Sequence, residues 1–209
     1  MSLIVSDTGG GDFELAPAGT TVARCYQLVD LGTQVTIYKG DQKLQRKVII
    51  SWELPNELME DGRPFSVNNR YTMSLSENAH LRKDLESWRN RPFTPEELAA
   101  FNITTILGAP CMLGVVHNKG AGENANNTYA NPQGIMALMK GQKCPPAVNE
   151  AAAFDIDAPD MEMFESFGEK LKATIRKAPE WHEDRGAPSQ DPDYIPDPDY
   201  STDEEPIPF

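Results

Sequence analysis

The chain is poor in the residues that build metal and disulfide sites. Its three cysteines, Cys25, Cys111 and Cys144, are odd in number and far apart. No CxxC or Cys/His spacing joins them, so neither a disulfide framework nor a zinc site is supported. The three histidines, His80, His117 and His182, stand alone. His117 reads as a polar residue at a strand end, not as a ligand. No apolar run approaches the ~20 residues that a membrane helix needs. The N-terminus has no basic-then-apolar leader, so a reducing cytoplasm is the expected setting. GxSxG, HExxH and the kinase and deaminase signatures are missing. Gly9-Gly10-Gly11 lacks the following Lys-Ser/Thr of a phosphate-binding loop. The acidic pairs Glu96-Glu97 and Glu204-Glu205 fall at a helix start and in a tail, where solvation explains them. A non-enzymatic protein without cofactor or metal is expected, because function lives in sites and no catalytic set is visible.

Positive charge is scarce too, but unevenly. The net charge is −13 over 209 residues. Residues 1–143 hold 14 Lys/Arg against 15 Asp/Glu, whereas residues 144–209 hold 5 against 17. The acidity therefore belongs to the C-terminal part, and a nearly neutral body is left that can carry basic patches.

Four segments follow from composition. Residues 1–18 read as a flexible lead-in. Residues 19–143 read as one β-rich domain. Thr20–Leu31 is rich in β-branched and aromatic residues and closes at Gly32; Gln34–Tyr38 is a shorter strand, and Lys39-Gly40-Asp41 signals a turn. Arg46–Leu54 is strongly apolar and is expected to stop at Pro55. In Arg70–Leu75, Tyr71, Met73 and Leu75 alternate onto one face. The period then becomes helical, with Ser76 or Asn78 as cap and Leu81, Leu85 and Trp88 as one stripe. A second helix starts at Thr94, with Pro95 and Glu97 completing a capping box. Cys111–His117 and Thr128–Leu138 are two further strands. This order predicts a mainly β, five-stranded Greek-key barrel of the OB type, with the helix between strands three and four. Residues 144–182 read as a linker and one amphipathic helix over Asp160–Lys177. Residues 183–209 are acidic and Pro-rich, contain a DPDY repeat at 191–194 and 197–200, and are expected to be disordered.

A single-strand binder needs cations that track phosphates and rings that stack on bases. Lys39, Lys43, Arg46 and Lys47 cluster around one strand connection. Arg24 and Arg70 lie on strands, and Arg82, Lys83, Arg89 and Arg91 add charge nearby. Tyr26, Tyr38, Trp52, Tyr71 and Tyr129 fall on expected strands among these cations. The pattern leaves alternatives: Trp88 fits the core, Trp52 alternates with Val48 and Ile50 as a core residue would, and Tyr71 shares its face with Met73 and Leu75. The lysine cluster also fits a solvated hairpin tip that discourages edge pairing.

Several segments together resemble phage-encoded single-stranded DNA-binding proteins with an OB-fold. They are GTTVARCYQLVDLGTQ (19–34), VIISWELPNE (48–57), RYTMSLSENAHLRKDLESWRNRPFTPEEL (70–98), ILGAPCMLGVVHN (106–118) and TYANPQGIMALMKG (128–141). The resemblance implies coating of single strands in DNA replication, recombination and repair. The ending EEPIPF (204–209) is similar to the aromatic-tipped acidic tails of bacterial single-stranded DNA-binding proteins. It implies partner docking by Ile207, Pro208 and Phe209, with Asp203, Glu204 and Glu205 as steering charges. Pro206, between the acids and Ile207, departs from the bacterial form. Two other classes fit the composition: a protein-interaction adaptor on an OB barrel, and an acidic DNA mimic that inhibits a DNA-binding enzyme. The Asp160–Lys177 helix can pack back on the barrel or pair with another protomer, so a homo-oligomer fits the main reading, and no membrane partner is expected.

Overall fold

Two unusually long strands organise the molecule. A computed structural model describes residues 14–38, 41–120, 122 and 125–182. β1 (Gly19–Tyr38) and β2 (Asp41–Leu58) pair antiparallel along their whole shared length. β3 (Pro64–Thr72) adds to β2, β4 (Pro110–Lys119) to β1, and β5 (Thr128–Met136) to β4, all antiparallel. The ladder order is β3-β2-β1-β4-β5. A short strand, β6 (Ala152–Phe154), joins β1 in parallel at Gln27–Val29 and was not legible as a strand. The result is a mainly β, open six-stranded sheet with a few helices. β3 and β5, at opposite ends of the ladder, still lie near one another, so the sheet curls.

Alternation explains the core. On β2, Val48, Ile50, Trp52 and Leu54 face one way and are all at most 2 % exposed. With Ala23, Cys25 and Leu28 of β1, Val67 and Tyr71 of β3, and Leu113 and Val115 of β4, they form the main cluster. α1 (His80–Arg89) closes it with Leu81, Leu85 and Trp88, the stripe expected from the sequence. Each large side chain so buried contributes about 1.5–3 kcal/mol. Trp88 packs 6.0 Å from Trp52 and donates its Nε1 proton to Pro110 O at 2.9 Å.

The outer face of β1 is covered as well. Val29 and Leu31 pack against Phe154, Ile156, Phe164, Phe167, Ile175 and Ala178 in a second cluster. Gly32 makes this fit possible: its φ is +64°, and a Cβ there would meet Ala178 Cβ at 2.5 Å and Ile156 Cδ1 at 2.8 Å. Residues 152–181 thus pack on the sheet as a layer, one of the two placements open to the amphipathic segment.

Three local expectations need correction. The single helix over Asp160–Lys177 is two helices, α3 (Met161–Ser166) and α4 (Glu169–Ile175). Phe167 and Gly168 are extended between them, which lets Phe167 turn into the second cluster. β2 runs past Pro55 to Leu58. Pro55 lies beyond the last β1 pair, Arg24↔Glu53, and inside a bulge against β3, where no ladder N–H is demanded. The residue capping α1 is Ala79, with no side-chain cap, so neither Ser76 nor Asn78 does it. The second helix, α2 (Pro95–Ala99), has the capping box its sequence announces, between Thr94 and Glu97. No helix among the described residues is long and apolar enough to cross a membrane.

Candidate nucleic-acid interface

The register of β2 against β3 gathers the cations. Lys47 pairs with Thr72, and Ile49 pairs with Arg70. Side chains two residues apart on one strand share a face, so Gln45 and Lys47 stand beside Thr72 and Arg70. The polar stretch after β3 then leads into the start of α1 and supplies a wall. Together these segments enclose a groove of about 540 Å³, lined by Gln45, Lys47, Arg70, Thr72, Ser76 and His80 among others.

Its electrostatics favour an anion. Lys47 Nζ donates to Gln45 Oε1 at 2.9 Å and to Thr72 Oγ1 at 2.6 Å, both neutral acceptors. Partial burial, then the nearby Arg70 charge, hold the Lys47 ammonium below its ordinary pKa. Arg70 is exposed, and neither cation is in an ion pair among the described residues. The uncapped N-terminus of α1, without acids in its first turn, borders the same groove through Ala79, His80 and Leu81. One carboxylate, Asp84, also lines it and accepts a hydrogen bond from Tyr71 Oη at 2.8 Å.

Of the residues singled out from the sequence, Lys47, Arg70 and Tyr71 meet in this groove. Tyr71, however, is only 5 % exposed; its ring is core and its hydroxyl is held by Asp84. Trp52 is 1 % exposed and offers no face for stacking. Arg24 is turned inward: it donates to Glu53 Oε1 at 3.1 Å and to the Pro145 carbonyl. Tyr26 is half-buried on β1, and burial first raises its phenol pKa. Arg46 binds Asp30 and Asp157, and its hydrogen bond to Asp30 is the chief cause of a pKa above the ordinary arginine value. Asp30, Asp155 and Asp157 bring carboxylates within 4.8 Å of one another, but Arg46 already supplies positive charge to that cluster. Tyr129, 42 % exposed on β5, lies outside the groove lining. Lys43 is exposed opposite Thr36, further along β2.

The backbone of Tyr38 pairs with Asp41, while Lys39 and the tip residues Asp203–Phe209 lie outside the described residues. The arginines around α1 add less charge than expected: Arg82 pairs with Glu86, and Arg89 and Arg91 both pair with Glu97. His117 sits near the end of β4, with its Nε2 2.8 Å from Ala16 O. Sequence reasoning missed the groove's polar wall, Ser74, Ser76 and Asn78. The available signal was the polar run itself, read only as a helix cap. No protein-family model matches the chain, and no curated protein matches it in sequence.

Proposed function

We propose that the chain is a non-enzymatic single-stranded DNA-binding protein, phage-encoded, acting in the host cytoplasm during DNA replication or recombination. On this reading the curled sheet is an OB-type barrel. The ladder order β3-β2-β1-β4-β5, the approach of β3 to β5 and the placement of α1 between β3 and β4 support it. The observation that carries the function is the polar groove holding Lys47 and Arg70 without carboxylate partners among the described residues. Two uncompensated cations beside amide and hydroxyl groups suit a phosphodiester backbone, which binds mainly through charge. The exposed ring of Tyr129 is a stacking candidate; Trp52 and Tyr71 are not. The tip Asp203–Phe209 recruits replication or recombination proteins.

The test is fluorescence anisotropy with labelled oligothymidylates of several lengths at a series of salt concentrations. Salt-sensitive binding is expected. Each of Lys47→Gln and Arg70→Gln should lower the slope of log K against log salt by about 0.7. Absence of salt-sensitive binding to single strands sinks the proposal. Unchanged slopes in both variants move the interface elsewhere on the molecule.

A further inference from the structure

The groove at the rim of β2 and β3 holds one acid among its cations. Asp84, on α1, lines it together with Lys47 and Arg70. A carboxylate repels the phosphodiester that those cations attract, so phosphate binding alone does not account for it. Tyr71 Oη donates to Asp84 Oδ2 at 2.8 Å, and the Tyr71 ring is packed into the main cluster. Asp84 Oδ1 accepts no hydrogen bond among the described residues. Lys47 donates to Gln45 and Thr72, not to Asp84, so the groove keeps a positive and a negative pole apart.

Two poles in one groove match the two ends of a nucleotide. An ionised carboxylate only accepts hydrogen bonds, and its two oxygens suit a pair of parallel donors. Guanine is the DNA base whose Watson–Crick edge carries two adjacent donors, the ring N1–H and the N2 amino group. Adenine and cytosine each set an acceptor nitrogen beside their amino group. Thymine flanks its single N–H with two carbonyls. In each of these three a base lone pair would face the carboxylate. Oδ2 keeps a second lone pair after accepting the Tyr71 proton, so both oxygens of Asp84 can serve. A groove of about 540 Å³ lies within the ~300–1,000 Å³ span of small-ligand sites, the right scale for one nucleotide unit.

We propose that Asp84 selects guanine at one position of the bound single strand, accepting its N1–H and N2 amino protons while Lys47 and Arg70 hold the adjoining phosphate. Tyr71 is a positioning residue: its ring is fixed in the core and its hydroxyl holds one oxygen of Asp84. The inference rests on the reading of the groove as a nucleic-acid interface. It adds a preference at a single nucleotide to binding that is otherwise driven by charge, so strands without guanine still bind, more weakly.

Fluorescence anisotropy on the full chain tests this, with the shortest oligothymidylate that binds and a single dG placed at each position in turn. At one position dG should tighten binding about tenfold, the scale of one good paired base contact. Replacing that dG by deoxyinosine, which lacks only the N2 amino group, should remove most of the gain. Replacing it by 7-deazaguanine, which keeps both donors and loses the N7 acceptor, should preserve the gain. Asp84→Asn keeps an oxygen for the Tyr71 hydroxyl but turns an amide donor toward the base. With that variant the dG and all-dT strands should bind within about twofold of each other, and the all-dT strand no more weakly than to wild type, because a repelling charge is gone. Absence of a gain at every position overturns the proposal. So does a gain that survives deoxyinosine, one that 7-deazaguanine abolishes, or one that Asp84→Asn leaves intact. The base-analogue comparisons use wild type alone and decide the matter whatever the variant does to folding. Failure of every strand to bind overturns the nucleic-acid reading itself and this inference with it, whereas binding without base preference overturns this inference alone.

Discussion

β1 and β2 are each one strand, yet their two halves live in different surroundings. In the inner half, Ala23–Leu31 against Val48–Leu54, both faces are covered: one by the main core, the other largely by residues 145–181. In the outer half, residues 33–38 against 41–46, the described residues leave most side chains in solvent. The ladder hydrogen bonds are of the same kind throughout. What differs is burial, so the comparison separates backbone pairing from packing as sources of stability. It also shows where binding can occur: the inner half has no face to spare, while the rim of β2 at Lys47 and the ribbon beyond it do.

The largest expected effect lies at the centre of the inner half. Glu53 is 0 % exposed and accepts from Arg24, from the Val148 and Asn149 backbone amides, and from Asn149 Nδ2 at 2.9 Å. It fastens the C-terminal layer to the sheet through one carboxylate. Glu53→Ala takes the carboxylate from a guanidinium that is only 12 % exposed, leaving it the Pro145 carbonyl, and strands two backbone donors. A loss of about 3–5 kcal/mol is expected in urea unfolding. A loss under about 1 kcal/mol would mean that water replaces the carboxylate and that the layer is held by its apolar cluster alone.

How much of this was legible follows the same division. The inner half was readable because alternation over Val48–Leu54 and the Leu81–Leu85–Trp88 stripe are local signals of burial. The capping box at Thr94 was readable because its chemistry is complete within four residues. The Glu53 clasp was not, since Val148 and Asn149 lie 95 and 96 residues downstream and nothing at position 53 marks them. The split of the C-terminal helix was hidden for a related reason: the apolar spacing of Phe164 and Phe167 suits one helix, and only the pocket beside Phe154 pulls Phe167 out of it. Of the candidate site, the charges of Lys47 and Arg70 were visible. That Arg24 and Arg46 are committed to carboxylates was not, because pairing depends on register and, for Asp157, on how a distant segment packs on the sheet.

A smaller effect is expected from pH in the inner half. Burial pushes the Cys25 thiol up to about 12. The unfolded thiol ionises near its ordinary value while the folded one stays protonated, so the folded state binds the extra proton. Cys25 therefore contributes stability that is whole below about pH 9 and declines as pH rises toward 12. Wild type should lose about 1 kcal/mol more than Cys25→Ala between pH 8 and 10. Parallel curves for the two proteins would mean that the inner half opens to solvent more readily than its burial suggests.

The smallest effect tests the outer half and completes the comparison. Leu44 is 71 % exposed, so its side chain has little to lose within the described fold. Leu44→Ser should change stability in urea unfolding by less than about 0.5 kcal/mol, as surface substitutions do. A loss well above that would mean that the apolar face of the ribbon is covered in solution, and that its stability does not come from backbone pairing alone.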